Sequence, residues 1–346
     1  MSKIPVYWKT RLDEVEETLK LVKKGKVTRP HLSAGGRPIY VVEYGKSNLP
    51  PHKANCSSAL GARDIKYYAD KSGADYNPTV FLCGCVHGGE FEGTCAILNM
   101  IKLIETGTDY AGKTNDELVS LAEKAHLVLI PMCNPDGRSH IPFDTYVGRT
   151  FYDLRYYNQG TWKDGTLTGW PGCKAVTPIK DHVDYLGGYF NDDGVNMMHE
   201  NFFGKVSNET RTVLDIAMQE APDFTVLLHG GGNTTNGMLD NDYGSLKSKK
   251  EIFLVNTLVA EACEKEGVRA RAYPISKGEE RDMPCSFNLP SAMHHCCSEP
   301  VTTYESNQGL TDQEGKIYDH DEIYAAHMIL FREIIRYELK KFGKID

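Results

Sequence analysis

Residues 79–90 read Thr-Val-Phe-Leu-Cys-Gly-Cys-Val-His-Gly-Gly-Glu, and this stretch decides the fold. The run Thr79–Cys85 is short and apolar. Asn77-Pro78 bounds it on one side and Gly88-Gly89 on the other. Such a run reads as a strand buried on both faces. A helical pattern then opens at Glu90 and continues to about Ile104. A buried strand leading directly into a helix is the alternation of an α/β sheet.

Two further runs outside this stretch have the same character, His126–Pro131 (HLVLIP) and Asp223–Leu228 (DFTVLL). Pro38–Tyr44 (PIYVVEY) reads as a strand, Val301–Tyr304 as a short one, and Val268–Tyr273 as a further candidate. Leu12, Val15, Leu19 and Val22 recur at helical spacing, which predicts a helix over residues 9–24. Helices are also expected over 250–266 and from Asp321 to Lys341. The order predicts a three-layer α/β sandwich, with a mixed, mostly parallel central sheet flanked by helices. No repeat or low-complexity linker interrupts the chain. One catalytic domain is expected over residues 1–346, with an elaborated loop region at about 138–200. That region is rich in Tyr, Gly, Asp and Trp and lacks periodicity, and long irregular segments in compact domains are usually functional.

Composition narrows the class. The 346 residues are 40% hydrophobic and 25% charged, as in ordinary globular chains. The net charge is −8 and no concentrated basic block exists, which argues against nucleic acid as a partner. Lys247-Ser248-Lys249-Lys250 reads as a solvated helix start. The first residues contain no apolar signal core, and no run of about 18 apolar residues would span a membrane. The ten cysteines are scattered, which suggests reduced, buried thiols and a cytoplasmic location. A thiol enzyme using Cys83, Cys85 or Cys296-Cys297 is a competing reading.

Four signals carry chemistry. In His87-Gly88-Gly89-Glu90 an imidazole and a carboxylate three residues apart can converge on one ion, with the glycines allowing a tight bend. Asn134-Pro135-Asp136-Gly137 has the composition of a turn. His229 ends the strand DFTVLL and precedes Gly230-Gly231-Gly232-Asn233, at the strand end where α/β sheets bind ligands. Glu305 follows the strand VTTY. Each signal alone has a structural reading.

Together and in this order they resemble the zinc metallocarboxypeptidase family, of the carboxypeptidase A type. Ser33-Ala-Gly-Gly-Arg37-Pro38-Ile39 also resembles that family's entry strand. The resemblance implies that His87, Glu90 and His229 hold one Zn²⁺ and leave a position for water, whose pKa the metal lowers. It implies Glu305 as general base. It implies a cationic partner for the oxyanion about a dozen residues beyond NPDG. Arg149 fits that spacing, with Arg155 and Arg138 in reserve.

The chain departs from the family in two places. Gly194-Val195-Asn196-Met197-Met198-His199 aligns with the segment whose Asn-Arg pair grips the substrate carboxylate, so Met198 and His199 stand in the substrate-binding positions. Histidine lacks arginine's bidentate fork. Ser286-Phe287-Asn288 lies where a mobile tyrosine is expected, and Tyr304 and Tyr273 are the nearby phenols. The expected substrate is therefore a small peptide or amide other than an ordinary peptide C-terminus. N-acyl amino acid or small-amide deacylation is the alternative on the same scaffold, and a non-catalytic metal-binding protein is the alternative of another class. Arg269, Arg271, Lys277 and Arg281 read as an exposed basic edge or as a local positive field.

Overall fold

The computed structural model describes residues 3–232, 234–276, 285–312 and 317–346. In chain order the elements are α1 (Leu12–Leu19), β1 (Lys26–Leu32), β2 (Pro38–Tyr44), α2 (Cys56–Gly61), β3 (Thr79–Gly84), α3 (Glu92–Thr106), α4 (Asp116–Ala122), β4 (His126–Ile130), α5 (Pro135–Ser139), α6 (Phe151–Leu154), β5 (Thr161–Trp162), β6 (Val183–Tyr185), α7 (Asn208–Glu220), β7 (Phe224–Gly231), β8 (Gly237–Leu239), α8 (Leu246–Lys265), α9 (Leu289–Cys297), β9 (Val301–Asn307) and α10 (His320–Lys341).

Every residue of β3 is buried, and its neighbours show why. The sheet has the order β1-β2-β4-β3-β7-β9-β8. The four strands β4, β3, β7 and β9 are mutually parallel; β1, β2 and β8 are antiparallel additions at the two sides. Side chains alternate between two cores. Val80, Leu82, Leu127, Leu129, Val226 and Leu228 pack with α3, α8 and α10. Phe81, Cys83, Val128, Ile130 and Leu227 pack with α7 and α9 on the other face. Helices on both faces make the strands apolar throughout. Each fully buried branched side chain contributes about 1.5 to 3 kcal/mol. This is the expected three-layer sandwich.

Some elements differ from their sequence reading. The helix expected over 9–24 stops at Leu19, because the chain tightens there and turns into β1. Strand β1 contains Pro30 and is largely exposed on both faces, so it has no apolar alternation to read. Val268–Tyr273 forms no strand; its Arg271 N–H donates once to Asn236. In the basic stretch, Lys249 is buried at the start of α8 and reaches Ser276 Oγ at 3.3 Å. Strands β7 and β9 both extend past their apolar runs, so His229 and Glu305 lie within the sheet.

Residues 138–200 hold short elements over two small cores. One gathers Phe91, Ile141, Tyr146, Leu154 and Leu310; the other gathers Cys173, Ile179 and Phe190. All ten cysteines are free thiols, and among the described residues no helix is long and apolar enough to cross a membrane.

Candidate active site

The site lies at the carboxyl ends of the parallel strands, where β3 has β4 on one side and β7 on the other. A crevice opens at such a reversal of strand order. Beyond Gly84, Cys85 takes a left-handed conformation with φ of 55°, which is costly for a side-chain-bearing residue. The turn is held from the next strand, since Asn134 N donates to Cys85 O at 2.9 Å. The Gly88 backbone then packs against Gly137; a Cβ on Gly88 would lie 1.9 Å from the Gly137 carbonyl carbon. Gly88 and Gly89 both lack positive φ, so they serve close approach rather than the bend read from the sequence.

NPDG is more than a turn. Asn134 caps α5 by accepting from Gly137 N at 2.9 Å. The fully buried Asp136 accepts from Ser33 Oγ at 2.5 Å, Gly35 N at 2.7 Å, Arg37 Nη1 at 2.7 Å and Asp192 N at 3.2 Å. The entry strand and the loop ahead of Met198 are thus tied to the segment on which Gly88 rests.

His87, Glu90 and His229 converge, all buried, with their ligand atoms within 4.8 Å of one another. His87 Nδ1 lies 2.8 Å from Glu90 Oε1, and His229 Nδ1 lies 2.7 Å from Glu90 Oε2. The second contact lacks hydrogen-bond alignment, which leaves Glu90 Oε2 buried without a partner. His87 Nε2 faces Asn196 Oδ1 at 3.2 Å, and the His87 ring stacks on Tyr189 at 4.0 Å. Burial alone would push the Glu90 carboxyl up, but the two imidazoles pull it down to about 2. Burial lowers His87, which Glu90 only partly offsets. For His229, Glu90 outweighs burial and the value rises.

Glu305 sits directly opposite His229 in the parallel pair β7/β9. Burial pushes its carboxyl up to about 7, while His229 pulls the other way. A second acid, Glu92, is buried beside Gly230 on the first turn of α3. Burial pushes it up to about 8.

A cleft of about 650 Å³ opens over these groups, and its walls include Arg155, Trp170, Lys174, Met198, His199 and Tyr273. Among the expected residues, Met198, His199 and Arg155 therefore face the cleft. Arg155 lies over the Phe151 ring at 4.6 Å and has its Nε buried without a partner. Arg149 is placed elsewhere, 3.4 Å from the Phe143 ring centroid and bonded to Thr145 O. Arg138 is buried and pairs with Asp144 at 2.7 Å. Phe287 packs against Phe202, Phe203 and Tyr243 rather than lining the cleft. Tyr304 points into the opposite core, whereas Tyr273 lines the cleft. Arg269 pairs with Glu322 at 2.6 Å, Arg271 lies over Tyr273, and Lys277 and Arg281 are outside the described residues, as is Asn233 of the glycine run.

Residues 16–283 match the family model described as zinc carboxypeptidase. The chain belongs to that family. Solved structures of similar fold include a metallo-carboxypeptidase from Burkholderia cenocepacia, 13% identical with a TM-score of 0.58, aligned over 95% of this chain and 69% of that one. The carboxypeptidase A of Helicoverpa armigera is 15% identical with a TM-score of 0.55, over 98% and 75% of the two chains. Bovine thrombin-activatable fibrinolysis inhibitor is 13% identical with a TM-score of 0.55, over 97% and 100%. Among curated proteins none matches the chain by sequence. As a zinc carboxypeptidase family member the chain is a zinc metallohydrolase.

The donor set fits zinc. Two imidazole nitrogens and a carboxylate converge in a buried place, with one carboxylate oxygen lacking a hydrogen bond. Three residues escaped the sequence reading. Asn196 orients His87 from a segment read only for its missing Asn-Arg pair. Tyr189 and Lys174 come from the aperiodic region, where no pattern announces a side chain's direction.

Proposed function

We propose that this protein hydrolyses a peptide or amide bond, using one zinc ion held by His87, Glu90 and His229 and Glu305 as general base. The observation that carries the reading is the register of β7 and β9, which sets Glu305 beside His229 at the floor of the cleft. Zinc supplies Lewis acidity toward the scissile carbonyl and toward water. Glu305 takes a proton from the attacking water as the C–O bond forms. It returns that proton to the leaving nitrogen as the C–N bond breaks. Asn196 keeps the His87 Nδ1 directed at Glu90, and outer partners of this kind fix ligand geometry. The oxyanion role expected of Arg149 passes to Arg155, whose buried Nε faces no protein acceptor.

His199 does not reproduce the family's two-point grip on a peptide C-terminus. Its Nδ1 is engaged with Ser286 Oγ at 3.0 Å, and burial with the nearby Lys174 lowers its pKa to about 4. A neutral ring offers a carboxylate no charged fork.

The test is Glu305→Gln, assayed on short peptides and N-acyl amino acids beside metal analysis. The expected result is a loss of about 10²- to 10⁴-fold in kcat with zinc content unchanged. A wild-type protein that binds no zinc, or a variant that turns over substrate as fast as the wild type, would sink the assignment.

A further inference from the structure

Lys174 belongs to none of the motifs that define the site, yet the fold holds it at the cleft. Its neighbour Cys173 is fully buried with Ile179 and Phe190 in the small core of that region. Two tight backbone bonds fix the turn, Cys173 N to Gly169 O at 2.7 Å and Lys174 N to Pro171 O at 3.0 Å. The side chain lies over the Trp170 ring, with Nζ 4.9 Å from its centroid. Lys174 shares the cleft wall with His199 and Glu305. No carboxylate among the described residues forms an ion pair with it. Half-burial of an ammonium with no salt-bridge partner is unfavourable; burial lowers its proton affinity here, and the attraction of Glu305 offsets that only in part. His199 shows the complementary state, an uncharged ring tied to Ser286 where the family resemblance calls for a cation.

We infer that Lys174 determines substrate choice: it receives a carboxylate carried by the leaving amine, as a point charge steadied by Trp170. This rests on the amide-hydrolysis reading above. A lysine does not demand the planar two-point alignment that an arginine fork imposes. The position and configuration of the carboxylate are then loosely constrained. Two sources share the chemistry, the last residue of a peptide and the amino acid of an N-acyl amino acid. The apolar walls, Phe151, Trp170 and Leu239 among them, suit an aromatic probe.

The experiment compares wild type, Lys174→Met and Lys174→Arg on two matched pairs of substrates. One pair is a peptide ending in free or amidated phenylalanine. The other is N-acetylphenylalanine and its amide. The wild type should prefer the acid member by about tenfold or more, as one charge-assisted contact implies. The pair that shows the preference names the source. Lys174→Met should lose about 10- to 100-fold more in kcat/KM on the acids than on the amides, chiefly through KM. Lys174→Arg should restore most of the loss. Equal losses in kcat on acids and amides would assign the ammonium to the oxyanion and overturn the inference, as would a wild type indifferent to the carboxylate. Calorimetry of free phenylalanine and its amide binding to the zinc-free protein separates the two readings. If nothing is hydrolysed but the acid binds only when Lys174 is present, the hydrolytic reading fails and the Lys174 site stands. If the acid binds Lys174→Met as well as it binds the wild type, the inference falls.

Discussion

Asp136→Asn tests whether NPDG is a structural bolt or the turn its composition suggests. The Asp136 carboxylate is fully buried and accepts four hydrogen bonds, two at Oδ1 from Ser33 and Arg37 and two at Oδ2 from Gly35 and Asp192. Asparagine has the same shape but one acceptor atom. In either orientation of the amide, two donors face an NH₂ group. Two lost bonds to a charged acceptor amount to about 3 to 6 kcal/mol. Arg37 keeps its bond to Asp192 at 2.8 Å and is one-third exposed, so its guanidinium is not stranded. That sets the expected loss near the low end, about 3 kcal/mol. Urea unfolding of the zinc-free proteins, compared at constant slope, measures it. Zinc affinity should fall as well, because Gly137 is the surface on which Gly88 rests. A variant within about 1 kcal/mol of the wild type, a range typical of surface changes, would refute the argument.

Two other perturbations probe separate layers. Asn196→Ala removes the partner of His87 Nε2, and zinc affinity should drop about 10- to 100-fold in competition with a chromophoric chelator. An unchanged affinity would mean that Tyr189 alone orients the ring. Glu338→Gln concerns stability far from the site. Burial pushes Glu338 up to about 8 against the pull of Lys341, with Asp223 and Glu251 adding to the rise. A carboxyl raised in the folded state contributes stability fully below its unfolded value near 4.5, and loses it as pH rises through about 8. The glutamine variant should therefore gain on the wild type between pH 5 and pH 9 in thermal unfolding. A pH-independent difference would contradict the sign.

The sheet and the converging His87, Glu90 and His229 were legible because their signals are local. β3, β4 and β7 are buried on both faces and read as unbroken apolar runs, and β2 matched residue for residue. His87, Glu90 and His229 are anchored to β3 and β7, and Glu305 to the short run Val301–Tyr304, so finding the strands places the side chains. β1 escaped because an exposed edge strand needs no apolar pattern. Helices α7 and α9 were not foreseen, though Ser207 and Asn288 cap them, accepting from Thr210 N and Ser291 N. Arg149 fits the spacing from Gly137, but spacing does not fix a side chain's direction where the intervening chain is irregular. Its guanidinium settled on Phe143, while Arg155, six residues on, turned into the cleft.

Lys174 shows the same limit from the other side. Its direction depends on Cys173 being drawn into a core with Ile179 and Phe190, residues of a segment with no period of its own. Cys173 and Val176 lie beside Lys174, but the core also needs Ile179 and Phe190, so it forms only when the segment folds back on itself. The proposed ligands lie on β7 or just beyond β3, at the centre of the sheet. On the proposal above, substrate choice is carried instead by a loop whose small core is built from its own residues. A chain can therefore keep the hydrolytic site and move the carboxylate's counter-charge from the position of His199 to a different segment. The sequence then shows the loss at His199 but not the compensation at Lys174.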